Sequence, residues 1–274
     1  MWHRRTLGIL LVAFLVLVIF VHSASQIVPD RHEIAEGEYT ISTEYGGVGP
    51  IETEIFNFHE TWQMWRSAED HYEIEGTRHF ESPKDVTHDI RFWLRLSPQL
   101  RFEESEERIP IWIGRSGLLM CTFRPTTVHC STDGDEAASK VDFSLSMEKP
   151  FAFSWPASPF SIAALTRQAD KRAGHVTEVQ FVEVGQNSPT GPVVPIVTSG
   201  RIRFLGRAMI ATAGKDWQAD KFELDAFMSS LPRKSTLWVS DSGLLLKLEA
   251  LPQAGPRGTL ELTRFEDRCS SAPQ

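Results

Sequence analysis

Apolar and polar side chains alternate with a period of two through most of this chain. In Glu38–Tyr45, Tyr39, Ile41, Thr43 and Tyr45 share one face, and Glu38, Thr40, Ser42 and Glu44 share the other. In His88–Leu96, Ile90, Phe92, Leu94 and Leu96 oppose Asp89, Arg91, Trp93 and Arg95. Val141, Phe143, Leu145 and Met147 oppose Asp142, Ser144, Ser146 and Glu148. Leu244, Leu246 and Leu248 oppose Lys247 and Glu249, and Leu260 and Leu262 oppose Glu261 and Thr263. One apolar and one polar face per strand is the pattern of antiparallel sheet. Turn formers separate the runs at Gly46-Gly47, Ser82-Pro83, Asp133-Gly134, Asp241-Ser242-Gly243 and Gly255-Pro256. The runs reach about nine residues, which suits a strongly curved sheet better than a compact sandwich.

One stretch carries helical spacing instead. Ser158 and Pro159 suit an N-cap and a first turn, Ile162, Leu165 and Ala169 recur along one side, and Gly174 supplies a stop. The spacing predicts a short helix, apolar on one side, over residues 158–172. Residues 185–195, with Pro189, Pro192 and Pro195, read as a loop. The expected fold class is mainly β: a large curved antiparallel sheet with a single short helix.

The N-terminus reads as an address. Arg4 and Arg5 precede Leu7–Val21, which holds no charge, and Ser23, Ala24 and Ser25 follow. A core helix would keep a polar face, and this run has none. It is also shorter than the about 20 apolar residues of a membrane span. Residues 1–25 are therefore expected to be a signal peptide, with an uncleaved N-terminal anchor as the alternative. The arginines would hold that end in the cytoplasm and place the rest outside. Residues 26–36 read as a lead-in linker, 37–267 as a single β-rich domain and 268–274 as a disordered tail. The expected location is exported, periplasmic or otherwise extracytoplasmic, with membrane association through the N-terminus if it is uncleaved.

The net charge of −8 falls to about −10 if Arg4 and Arg5 leave with the signal. An acidic domain repels phosphate backbones, so no nucleic-acid partner is expected. Of three cysteines, Cys121 and Cys130 lie equidistant from Pro125-Thr126, between two alternating runs. A hairpin about that dipeptide sets them opposite each other. Proline is poor in the primed turns of two-residue hairpins, so a four-residue type I loop is expected, with the same symmetry. An exported compartment permits oxidation, and a Cys121–Cys130 disulfide is expected, with two free thiols on one side of the sheet as the alternative. Cys269 is left over, unpaired or bridging to another chain.

Three C-terminal segments carry a family likeness: Gly214-Lys-Asp-Trp-Gln-Ala-Asp-Lys-Phe-Glu-Leu224, Ser235-Thr-Leu-Trp-Val-Ser240 and Gly243-Leu-Leu-Leu-Lys-Leu-Glu249. With an export signal, long strands, one crossing helix and more long strands, the chain resembles the half-barrel superfamily of bacterial lipoprotein carriers, the LolA/LolB type, and related periplasmic β domains of unknown function. The resemblance spans residues 37–267 in architecture. It implies a half-barrel whose short helix lies against the concave face, and in the carriers that concavity holds acyl chains. The chain departs from the carriers in its longer N-terminal strand region and its cysteine hairpin.

Catalytic and metal motifs are sparse. His59, His71, His79 and His88 lie close in sequence but show no HxH or HExxH spacing, so they read as surface histidines and no metal or cofactor is expected. Ser146 and Lys149 match S-x-x-K, but on a strand they point to opposite faces. The run Glu103–Glu107 has no apolar neighbours and reads as a solvated loop. Asp216 and Asp220 flank Trp217 and read as polar outer face. Aromatic residues are more informative, with 8 Trp and 17 Phe. Trp62, Trp65, Trp93, Trp112, Trp155, Trp217 and Trp238 fill the core on one reading. On the other, one short helix leaves part of the concave face uncovered, and uncovered apolar surface is a ligand or partner site. Phe151, Phe153 and Trp155 would form its rim, and Ile162 and Leu165 its lid. The function expected is a non-enzymatic extracytoplasmic binding protein holding a lipid, acyl chain or other hydrophobic small molecule. The alternatives are a cell-envelope structural or protein-interaction module, with an envelope protein partner, and an envelope hydrolase.

Overall fold

The alternating runs become strands. The computed structural model describes residues 31–45, 54–81, 87–110, 118–133, 142–153, 159–172, 174–186, 193–226, 234–250 and 258–268. Residues 1–25, His88's side chain, Trp112, Phe153's side chain, Trp155 and Cys269 lie outside what is described. The first meander holds β1 (Arg31–Tyr45), β2 (Glu54–Ser67), β3 (Tyr72–Glu81), β4 (Thr87–Leu96), β5 (Phe102–Pro110), β6 (Leu118–Arg124), β7 (Thr127–Asp133) and β8 (Asp142–Ser146). After β9 (Phe151–Phe153) and the helix α1 (Pro159–Thr166) comes the second, with β10 (Val176–Gln186), β11 (Val193–Thr212), β12 (Lys215–Ala226), β13 (Lys234–Ser240), β14 (Leu245–Ala250) and β15 (Gly258–Asp267).

All fifteen strands form one sheet, in the order β8-β7-β6-β5-β4-β3-β2-β1-β15-β14-β13-β12-β11-β10-β9. Every pairing is antiparallel except β9 with β10. Two meanders thus step outward from the central β1–β15 pair. The chain from β8 to β9 joins the two ends of that order. Along it, Met147 N–H donates to Thr126 O (2.8 Å), Lys149 N–H to Gln180 Oε1 (3.2 Å), and Gln180 N–H donates to Pro150 O (2.8 Å). Cys121, Phe123, Val128 and Cys130 of β6–β7 share one apolar cluster with Phe151 of β9 and Val182 of β10. The sheet therefore curls until its ends pack on each other, giving a curved, barrel-like wall.

The helix fills the hollow. Seven of its eight residues are buried, all but Ser161, so it has no solvent face, and the expectation of a one-sided helix is corrected. Eight residues are too few to hold a helix in water, and tertiary packing supplies its stability. Phe160 meets Trp62 edge-on at 5.1 Å between centroids, Tyr39 at 5.8 Å and Phe92 at 6.4 Å. The helix ends at Thr166, ahead of the expected stop, in i→i+3 turns that carry the chain to Ala169. Arg167 donates to the backbone oxygens of Ser240 (3.0 Å) and Asp241, tying the helix end to the β13–β14 turn.

Three further boundaries differ from expectation. Residues 31–36, expected as lead-in, are the start of β1, because their backbone pairs with β2, and Glu36 and Ala35 also pair with β15. Pro195, expected in a loop, pairs with Val184 inside the β10–β11 ladder. Arg124 pairs directly with Thr127, so the cysteine hairpin turns on two residues rather than four. The symmetry about Pro125-Thr126 is the same either way. Cys121 sits opposite Cys130, and the two form a disulfide buried among Leu119, Phe123 and Val128.

Candidate functional site

Strands β1–β5 carry chemistry on both faces. Because side chains alternate across a strand, a cross-strand register defines rows. One inward row runs Gly37, Trp62, Gly76, Phe92, Glu107 and on to Cys121. The next inward row runs Tyr39, Glu60, Arg78, Ile90.

These rows bury charge. Arg78 and Glu60 are both 0% exposed, and Arg78 Nε donates to Glu60 Oε2 at 2.7 Å. The Arg78 guanidinium also lies 5.5 Å from the centre of the Phe92 ring. Glu107 is 3% exposed. One guanidinium serves two carboxyls, and Glu60 takes it. Glu107 is left in a dry site, and burial pushes it up to about 8, against the pull of Arg78 and with a further push from Glu60. Burial also raises Glu60, opposed by Arg78. The Tyr39 phenol is raised well above its usual value by burial and then by Glu60. Glu60 Oε1, Glu107 Oε2 and Trp62 Nε1 have no hydrogen-bond partner among the described residues.

This corrects the reading of Glu103–Glu107 as a solvated loop. The segment is β5, and its period-two alternation turns Ser105 and Glu107 inward while Glu104 and Glu106 stay outside.

The outer face of the same strands holds a groove of about 650 Å³. Its floor is the backbone of Gly37, Trp62, Gly76 and Phe92, whose two rings point inward and are buried. The two glycines thin the wall. A Cβ on Gly37 would lie 2.5 Å from Trp62 Cζ2, and one on Gly76 would lie 2.3 Å from Phe92 Cζ. The rings thus lie flat over bare backbone. One wall is the row Glu36, Gln63, Glu75, Trp93, Glu106, and the other is Thr61, Thr77, Arg91, Arg108, with Arg264 of β15 beside them. The acidic wall is already paired: Glu75 with Arg31 (2.8 Å), Glu106 with Arg108 (3.1 Å), Glu36 with Arg268 (2.8 Å). Arg91 is exposed and has no ion-pair partner among the described residues.

The residues singled out from sequence fall elsewhere. Ile162 and Leu165 are each 1% exposed, in the larger core cluster around α1. Phe151 is 6% exposed and belongs to the second cluster, with the disulfide. Phe151 meets Phe102 edge-on at 6.1 Å. Of the tryptophans, Trp62 is buried, and Trp65, Trp93, Trp217 and Trp238 are half-buried. His71 bonds Glu103 and His79 bonds Asp89, each at 2.7 Å. Asp216 is exposed, but Asp220 is buried beside Lys171 (2.5 Å) and Arg207 (3.4 Å), a surface ion cluster rather than an open outer face. Glu60 and Arg78 went unnoticed in the sequence, and Glu107 entered it only as part of a solvated run. Their signal was parity: Glu60 shares its face with Phe58, Trp62 and Met64.

No protein-family model matches the chain, and no curated protein matches it. Among solved structures it is similar to a "beta-barrel-like protein of domain of unknown function DUF1849" from Brucella abortus, at 6% identity and a TM-score of 0.48, covering 86% of this chain and 98% of that one.

Proposed function

We propose that this chain is a non-enzymatic, exported binding protein that takes a small polar ligand in the groove over β1–β5. The observation that carries the reading is the groove itself: about 650 Å³, with a floor of glycine-thinned backbone between walls of hydrogen-bonding side chains and half-buried Trp93. That size and mixture of surfaces suit a small molecule. The buried Cys121–Cys130 disulfide supports an oxidising compartment outside the cytoplasm. A hydrolase finds less support. Glu107 has the raised pKa of a general acid, but it faces the interior at 3% exposure, with Phe92 and Cys121 as its cross-strand neighbours.

A second reading keeps the hydrophobic ligand in the hollow, where an acyl chain would take the place of α1. It is favoured by the way α1 is held, by apolar contact along its length and by Arg167 at its end. An acyl chain gains about 0.8 kcal/mol per buried CH₂, set against the burial that α1 gives up on leaving.

Native mass spectrometry of the full chain, purified from its own membrane fraction, tests both. Thr77→Trp fills the groove from its outer wall without entering the core. A small adduct on the wild type that Thr77→Trp lacks is the result expected. An adduct retained by Thr77→Trp, together with uptake of an added fluorescent fatty acid, places the ligand in the hollow. A clean wild-type mass with no uptake overturns both and leaves a protein-interaction module.

A further inference from the structure

We infer that the groove selects its ligand through a phosphate group, held by Arg91 with Arg108 and Thr77. This rests on the groove being the binding site. Arg91 and Arg108 stand directly opposite each other on β4 and β5. Like charges in that position destabilise a sheet unless something between them carries the opposite charge. Arg108 is answered by Glu106 at 3.1 Å, whereas Arg91 has no ion-pair partner among the described residues. Thr77 lies on the other side of Arg91, one strand away on β3, and adds a hydroxyl. Two guanidiniums and a hydroxyl offer more donors than the two oxygens of a carboxylate can use, and they match the terminal oxygens of a phosphate. In the groove Arg108 and Arg264 are answered by glutamates, and Arg91 is the arginine left to meet an anion from solution. Half-buried Trp93, one register step along β4 on the facing wall, gives the rest of the ligand a flat apolar surface.

The test titrates the full chain with glycerol phosphate by calorimetry, and in parallel with sedimented phosphatidylcholine vesicles containing phosphatidic acid. Binding to glycerol phosphate assigns the group to a soluble ligand, and binding to the vesicles alone assigns it to a lipid head. Arg91→Gln is expected to weaken whichever binds by about tenfold or more, the effect of losing a charge-assisted contact to phosphate. Arg201→Gln removes an exposed arginine of the other meander and is expected to leave affinity unchanged. Loss of binding in Thr77→Trp with full binding in Arg91→Gln keeps the groove and overturns the phosphate assignment. Full binding in Thr77→Trp overturns both, and the absence of binding to either probe by the wild type overturns the phosphate assignment while the native mass spectra decide the groove.

Discussion

Replacing Glu107 by glutamine removes one ionisable group from the interior while keeping its shape. The folded protein holds the Glu107 proton up to about pH 8, whereas an ordinary glutamate releases it near 4.5. Between those values the native state binds one proton more than the unfolded chain. Stability from this group is therefore greatest below pH 4.5, falls as pH rises, and levels off above 8. The slope is about 1.4 kcal/mol per pH unit. The window gives roughly 3.5 kcal/mol lost by pH 7 and on the order of 5 kcal/mol by pH 8. These are ceilings, because a native state that opens to let water reach the carboxylate limits the cost. The assay is urea unfolding of wild type and Glu107→Gln, disulfides intact, followed by tryptophan fluorescence from pH 5 to pH 8. Groups common to both proteins cancel in the difference. The variant is expected to differ by about 1 kcal/mol or less at pH 5 and to gain several kcal/mol on the wild type by pH 8, with the denaturant slope unchanged. A difference that stays constant across this range refutes the reasoning, because it means Glu107 ionises in the folded protein as it does in the unfolded chain.

Other perturbations probe the same wall. Gly76→Ala puts a Cβ 2.3 Å from Phe92 Cζ and 2.7 Å from the Thr61 carbonyl, and the backbone oxygen cannot step aside; a loss of about 1–3 kcal/mol or more is expected in urea unfolding, with altered near-ultraviolet circular dichroism. Arg78→Met leaves Glu60 buried without its partner and is expected to cost about 3–5 kcal/mol, most of it recovered when Glu60 is changed to Met in the same chain. Replacing both Cys121 and Cys130 by alanine releases a loop of sequence separation 9, and the chain-entropy relation gives a loss of about 2.5–3 kcal/mol. Unfolding of the reduced wild type is expected to match that variant.

The period of two made the wall readable. Strands such as β4, with Ile90, Phe92, Leu94 and Leu96 buried and Arg91 exposed opposite, follow the alternation residue by residue. The cysteine pairing followed from the same symmetry, and it survived an error in loop length because both loops preserve it. The site was harder to see because it depends on long-range register. Arg91 and Arg108 are 17 positions apart in sequence and meet only through the β4–β5 pairing. The role of Gly37 and Gly76 appears only when Trp62 and Phe92 are laid across them. Reading Glu103–Glu107 as a solvated run misses Glu107, because on a strand only every second residue faces water. The helix was placed correctly, but its one-sided spacing understated its burial, since Ala163 and Ala164 turn small side chains toward the wall on its other side.

The buried row and the outer groove belong to the same strands, and this couples them. Arg78 on β3 is bonded to Glu60 on β2, and its field reaches Glu107 on β5. These inward groups help hold the register of the strands whose outward residues are Thr77, Arg91 and Arg108. Holding binding groups on packed, mutually bonded elements is what keeps a site in its productive geometry. Ionising Glu107 adds a second buried negative charge facing Glu60, and strand β5 can relieve it only by turning that side chain toward water. Arg108 is the next residue along β5, so a turn of the strand that brings Glu107 to water would displace it as well. Raising the pH from 7 to 9 is therefore expected to weaken phosphate-probe binding in the wild type. The guanidiniums keep their charge, and the phosphate, with a second pKa of about 6, gains only the last part of its second charge, equally for both proteins, so Glu107→Gln is expected to show a flat or slightly strengthening profile. Calorimetric titrations of both proteins with glycerol phosphate at pH 7, 8 and 9 decide the matter, because parallel pH profiles mean that the two faces of the sheet act independently.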